Sequence, residues 1–372
     1  MLSKLLNNIN QGLLYLEKRC GTYFSALIVS LILLCIAVVY VTPAFTPMQL
    51  GRGYASLSVS PFDFSEQNNL RYRILSPFLA YCIGLRGVLY IIFPLAISWL
   101  FLAVLYNYLR KAQDALVSLF ITMFICFSTP ILFLLHFAGY VDITSYFLIL
   151  LIIIYIKKPV LWIVLLALLL LNHDSNLFIL PAVLFVRYLQ VAGQPRAFMK
   201  IIVGLGIALI PFYLYRRYID HVSPVDYNAD MYISQITDNI KSIAAYFPIG
   251  FFYAFKLFWV FPLLAIYYYW KQKDRQQLVL FALILMGALG QLLLASDTSR
   301  LIGLAFPMVI VAAVKVKEQW GTERFLKFSF YLILLNFLIP HYYVGQSVMI
   351  RFYPWPSSLI LKYFYGIETF VG

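Results

Sequence analysis

Residues 157–187 read KKPVLWIVLLALLLLNHDSNLFILPAVLFVR, and how this stretch meets a membrane decides the architecture of the chain. Two apolar arms, 159–172 and 177–189, flank the polar turn Asn172-His173-Asp174-Ser175-Asn176. Backbone in lipid must satisfy its own hydrogen bonds, so apolar arms of this kind are helices. One continuous helix would cross once and leave either Lys157 and Lys158 or Arg187, Arg196 and Lys200 on the wrong side. Two helices joined at the turn put all of these basic residues on one side. Each arm of about 13 residues is roughly 20 Å long, against a hydrocarbon core of about 30 Å. The turn is therefore expected below the opposite surface, buried in protein or lining a cavity.

The same reading extends along the chain. Charged residues make up only 12% of the 372 positions while 63% are hydrophobic, far from the composition of a soluble domain. Apolar runs recur without the alternation of a membrane barrel. They define about eleven spans, near 22–42, 87–108, 115–135, 140–156, 159–172, 177–189, 200–215, 246–270, 277–295, 301–314 and 325–340. The expected fold is an all-α polytopic helical bundle forming one integral membrane domain over residues 1–372. Outer loops 43–86 and 216–245 are the segments expected to build a site.

The first apolar run starts near Thr22 and lacks a small-residue cleavage site, so it reads as a retained anchor with a cytoplasmic N-terminus. Alternating the spans from there sends most lysines and arginines to the cytoplasmic loops and leaves the outer side balanced in charge. The net charge of +13 is then a topology signal. No basic cluster with interleaved aromatics suits a nucleic acid. The expected location is a bacterial inner or plasma membrane, with membrane lipids as partners.

The four cysteines, Cys20, Cys35, Cys82 and Cys126, include no CxxC pair, which argues against a disulfide framework or a Cys-ligated zinc. Cys20 beside the first span is either a plain interfacial cysteine or a palmitoylation site. Ile233, Ile236, Ile240 and Ile243 recur at helical spacing, predicting an amphipathic helix on the membrane. The aromatic tail from His341 suits the outer interfacial belt. His136, His173, His221 and His341 all fall on the outer side, as do Asp142, Asp174 and Asp297. A transporter of a polar solute more often holds its ionisable residues in mid-membrane.

Outer loop 43–86 contains PFDFSEQNNLRYRILSP, residues 61–77. Asp63 and Glu66 are spaced i, i+3, and either carboxylate can serve as a general base. Ser60-Pro61-Phe62-Asp63 also matches a helix start with a capping box. Arg71 and Arg73 point the same way in an extended segment and suit a phosphate. Lipid headgroups or pairing with the nearby acids would equally occupy them. His173 and Asp174 read as acid–base residues, as ligands or as a helix cap. Zinc would need about three ligands, so no metal residues are assigned and a divalent ion at this turn stays open. Asp142 either caps its helix or enters the site; Asp297 and Arg300 form a local ion pair or a substrate clamp. Walker A, GxGxxG, GxSxG and HExxH motifs are absent, which leaves ATP-driven transport and the familiar hydrolases without their signals. No cofactor is expected.

The layout resembles the GT-C superfamily of polytopic membrane glycosyltransferases. The likeness rests on Asp63 and Glu66 in the first outer loop, on Arg71-Tyr72-Arg73-Ile74-Leu75-Ser76-Pro77 entering the next helix, and on the later outer turns His173-Asp174 and Asp297-Thr298-Ser299-Arg300. It covers the layout of most of the chain with loose motifs. The two acids are separated rather than adjacent, and no large soluble outer domain follows the spans. The resemblance implies transfer of a sugar from a polyprenyl-phosphate-linked donor to a glycan, lipid or protein acceptor on the outer face. Asp63 or Glu66 would be catalytic, with Arg71, Arg73, Asp142, His173, Asp174, Asp297 and Arg300 holding substrate or phosphate. Two alternatives stay open. A polysaccharide polymerase or ligase of related layout would lean on Arg216 and Arg217. A transporter or flippase for a lipid-linked or anionic solute would place Lys256 on its path.

Overall fold

The structure, a computed structural model, describes all residues except 64–68, 192–193, 223–228, 294, 346–347 and 367–372, and omits the side chains of 69 and 229–235. The 157–187 stretch is a helical hairpin. Its first arm is the helix Pro159–Asn172. His173 leaves helical geometry at φ −159°, ψ 123°, a 3-10 turn spans Asp174–Ile179, and the second arm is Leu180–Gln190. The free ends rejoin where Arg187 Nη1 donates to the Ile156 carbonyl at 2.6 Å. A single crossing helix is therefore excluded.

The protein is predominantly helical. Among the described residues, six helices are long and apolar enough to cross a membrane, or seven if the bent pair Ala115–Cys126 and Thr129–His136 counts as one span. The other four expected spans correspond to shorter helices, namely Asp142–Tyr155, Pro159–Asn172, Leu180–Gln190 and Thr322–Leu338. Large aromatic side chains are buried between the helices, including Phe101, Phe124, Phe258 and Phe261. Aliphatic residues such as Leu263, Val203 and Leu338 stay exposed on the outward faces. Apolar outward faces are what helices present to lipid tails.

Three departures from the sequence reading have local causes. The tail is not purely helical: His341–Gly345 and Val348–Phe352 pair antiparallel, His341 opposite Phe352 and Gly345 opposite Val348. Alternating β-branched and aromatic residues there fit a strand as well as an interfacial belt. No helix begins at Pro61, because residues 61–62 are a turn in which the Asp63 N–H donates to the Ser60 carbonyl at 3.2 Å. The fixed φ of proline suits the second position of a turn as well as a first helical position. The helix expected over 200–215 runs from Pro195 to Val222, so Arg216 and Arg217 are helical rather than in a loop. The amphipathic helix expected from the isoleucine spacing spans Ala229–Ala244.

Lys256 sits where the span Phe247–Phe255 breaks before Val260–Lys271, at φ 48°. Its ammonium donates to the Asn336 and Ile339 carbonyls and to the Tyr40 hydroxyl, each at 3.0 Å. Those carbonyls end the helix Thr322–Leu338, so the lysine caps a helix C-terminus, which favours a cation.

Candidate functional site

The turn at 172–176 is largely buried and tied to its surroundings by a polar lattice. Asn172, fully buried, donates to the Val141 carbonyl at 3.0 Å and to Ser145 Oγ at 2.9 Å, and accepts from Ser76 Oγ at 2.6 Å. Asn176 donates to the same Ser145 Oγ at 2.9 Å and to the Leu169 carbonyl. Three segments distant in sequence thus meet at one asparagine, and the turn cannot move without them. His173 Nδ1 lies 3.2 Å from the Ser175 backbone nitrogen, 2.8 Å from Ser175 Oγ and 3.2 Å from Asp174 Oδ1, so the ring nitrogen that carries the proton is set by which of these contacts it serves. Ser175 Oγ donates to Gln291 Oε1 at 2.8 Å. The Gln291 amide nitrogen is a buried donor and His173 Nε2 a buried ring nitrogen, and neither has a partner among the described residues.

Asp174 lies at the rim. Arg73 Nε approaches it at 3.4 Å and Arg216 Nη1 at 3.6 Å, and all three side chains are about one-fifth to one-third exposed. Burial would raise the Asp174 carboxyl, but Arg73, His173 and Arg216 outweigh it and hold it well below the usual carboxylate range. Burial and then Arg73 push the His173 imidazole below its ordinary value, which favours the neutral ring. Arg73 also donates to the Tyr54 hydroxyl at 3.1 Å. Arg216 stacks over Tyr72 at 4.6 Å, and Tyr72 donates to Asp220 at 2.7 Å.

A second cluster is closed. Arg300, 4% exposed, sits 2.6 Å from Asp297 and 3.3 Å from Asp142, over the faces of Tyr140 and Phe133. Tyr343 of the first strand donates to Asp297, and Ser299 Oγ accepts the Val344 N–H at 3.0 Å, so the β-hairpin covers this ion cluster. Gly345 fits because a Cβ there would fall 2.8 Å from Asp297 Oδ1. On the other flank, Gly51 presses on the Ala138-Gly139 turn: a Cβ on Gly51 would lie 2.2 Å from the Ala138 carbonyl oxygen. That close approach seats the helix Leu50–Leu57, and with it Tyr54, beside both clusters. Burial raises the Tyr54 hydroxyl above its ordinary value; Arg73 and, less, Arg300 oppose the rise and Asp142 adds to it.

The residues singled out from sequence are not all brought together. Arg73, His173 and Asp174 form the open cluster; Asp142, Asp297 and Arg300 form the closed one. Arg71 and Arg73 do not share a face. Asn69–Tyr72 is a 3-10 helix, whose tight winding turns successive side chains apart. Arg71 is buried, with its carbonyl accepting from Tyr215 at 2.8 Å, while Arg73 faces Asp174. Asp63 is exposed, and Glu66 lies outside the described residues. No group of three His, Cys, Asp or Glu side chains converges as a metal would need among the described residues. Tyr54, Gln291 and Tyr343 carried no sequence signal beyond being aromatic or polar near a span end. Arg216 was visible only under the ligase alternative.

Compared with protein-family models, with curated proteins and with solved structures, the chain matches none, so its chemistry rests on these residues alone.

Proposed function

We propose that the protein is a membrane glycosyltransferase of GT-C-like layout, with about eleven spans, that takes a sugar from a polyprenyl-phosphate-linked donor on the extracytoplasmic face. The observation that carries this reading is the convergence of Arg73 and Arg216 on the single carboxylate of Asp174, beside the unpartnered buried nitrogens of His173 and Gln291. Two guanidiniums on one aspartate leave a cationic excess suited to a phosphate. These buried nitrogens suit the hydroxyls of a sugar, which both donate and accept. In the mechanism, Asp63 or Glu66 takes a proton from the acceptor hydroxyl as it attacks the anomeric carbon. The bond to the leaving phosphate breaks, and Arg73 and Arg216 stabilise the charge that develops there. The closed cluster of Asp142, Asp297 and Arg300 positions Tyr54 and Tyr140 around the substrate.

The test is sugar transfer by the full chain in lipid nanodiscs supplied with a polyprenyl-phosphate sugar and an alcohol acceptor. Asp63→Asn abolishes transfer while membrane expression is unchanged; full activity in that variant removes Asp63 as the base and shifts the role to Glu66. A second reading, a polymerase or ligase joining two lipid-linked glycans, is favoured by the contact of Arg216 with Asp174 and by the exposure of Asp63. Product size separates the two, since a transferase adds one sugar and a polymerase or ligase yields long chains. Net passage of cargo with no new covalent product would instead make the protein a transporter.

A further inference from the structure

At the opposite end of the 157–187 hairpin lies a hollow of about 570 Å³, bordered by Lys157, Trp162, Arg187, Gln190 and Lys200. Among the described residues no Asp or Glu lines it, and the only acid in the sequence between Lys157 and Lys200 is Asp174, at the far end of both arms. Trp162 is 1% exposed, and its indole Nε1 has no partner among the described residues. Arg187 is held over the Trp162 ring at 5.6 Å, with Nη1 donating to the Ile156 carbonyl at 2.6 Å and to Gln190 Oε1 at 2.8 Å. Its Nε is likewise buried and without a partner among the described residues. An indole N–H and a guanidinium N–H can only donate, so both call for an acceptor. Lys157, Lys200 and the first turns of the helices Pro159–Asn172 and Pro195–Val222 add positive potential.

We propose that this hollow binds the phosphate of an anionic phospholipid. The phosphate oxygens accept from Trp162 Nε1 and Arg187 Nε, and Lys157 and Lys200 neutralise the charge. A free phosphate offers the same oxygens, but the surroundings favour a lipid. Val160 and Val164 on one helix, and Met199 and Val203 on the other, are 48 to 74% exposed and run away from the hollow at i, i+4 spacing, where acyl chains would lie. Basic pockets between membrane helices are a recurrent form of headgroup site. The proposal is independent of the glycosyltransferase reading, because it uses none of the same side chains.

The experiment is native mass spectrometry of the full chain in detergent, titrated with phosphatidylglycerol, phosphatidylcholine or inorganic phosphate. One phosphatidylglycerol is expected to be retained about tenfold more tightly than phosphatidylcholine, the size of one charge-assisted hydrogen bond. Lys200→Gln weakens phosphatidylglycerol about fivefold to tenfold and leaves phosphatidylcholine, whose choline already balances its phosphate, unchanged, whereas Trp162→Phe removes an N–H to the phosphodiester that both lipids carry and weakens both about fivefold to tenfold. Arg187→Gln has the larger effect, but Arg187 also anchors Ile156, so the exposed Lys200 and the ring-preserving Trp162→Phe decide the matter. Equal retention of the two lipids, or no weakening in those two variants, overturns the proposal. Inorganic phosphate binding tightly and displacing phosphatidylglycerol overturns the lipid as the occupant.

Discussion

The two ionic clusters, around Arg300 and around Asp174, are built from the same residue types in opposite proportion. Around Arg300 there are two carboxylates to one guanidinium, all about one-tenth exposed or less. Around Asp174 there are two guanidiniums to one carboxylate, with each side chain a fifth to a third open. Burial demands that charges find internal partners, and in the closed cluster one guanidinium is shared by two carboxylates, with Tyr343 as an extra donor to Asp297. The open cluster keeps surplus positive charge in reach of solvent, where an anion can add to it. One cluster therefore reads as framework and the other as a place for a ligand, and variants can tell them apart.

The largest effect is expected in the framework. Arg300→Met leaves Asp142 and Asp297 buried without a counter-charge and should lower stability by about 3–5 kcal/mol. The readout is the thermal unfolding midpoint of the detergent-purified chain. Converting the trio together to Asp142→Asn, Asp297→Asn and Arg300→Met should recover most of that loss, because the penalty comes from unpaired charge. A triple variant as unstable as Arg300→Met would mean that the cluster holds the fold through geometry and not charge.

Next comes Asp174→Asn, expected to cost about 2 kcal/mol at neutral pH through its charge-assisted contacts. The native Asp174 carboxyl is held below its ordinary range, so its contribution is complete above about pH 4 and is lost as pH falls. The unfolding midpoints of the native protein and the variant should then converge in acid. Midpoints that stay parallel down to the lowest accessible pH would mean that the carboxylate's charge is not what the arginines hold. Tyr343→Phe should cost less, about 1 kcal/mol, since it removes one hydrogen bond and leaves Asp297 its contact with Arg300. A loss above about 3 kcal/mol would show that the β-hairpin itself detaches.

Much of this arrangement was legible in the sequence, and the reasons are physical. The Lys157, Lys158 and Arg187 charges forced the hairpin, because a buried polar turn and a charge on the wrong side are both costly in lipid. Arg187 meeting Ile156 is the direct consequence. The polar turns at 142, 173 and 297 were found because ionisable residues stand out against hydrocarbon. Their division into two clusters was not legible, since it depends on tertiary partners. Tyr54 is placed by a glycine-to-glycine contact across more than eighty residues, and no periodicity reports that. Arg71 was misread because spacing i, i+2 aligns side chains in a strand and separates them in a 3-10 helix. The strands at 341–352 are short and aromatic, a pattern shared with an interfacial tail.

The smallest stability change should come from the residue that best separates framework from ligand site. Arg216 reaches Asp174 at 3.6 Å from a helix with little burial of its own, and its side chain is 30% exposed. A partly solvated pair at that distance contributes little, so Arg216→Gln should move the unfolding midpoint by the equivalent of less than about 1 kcal/mol. If the cationic excess exists to hold a phosphate, the same variant should weaken binding of a polyprenyl-phosphate probe by about tenfold, because a charge-assisted contact to the ligand is removed. Arg216→Lys should recover only part of that affinity, since an ammonium lacks the planar fork that grips two oxygens. A variant that loses stability and affinity together would place Arg216 with Arg300 in the framework. One that loses neither would leave Arg73 as the cation that matters, and the contrast between the clusters would reduce to their difference in burial.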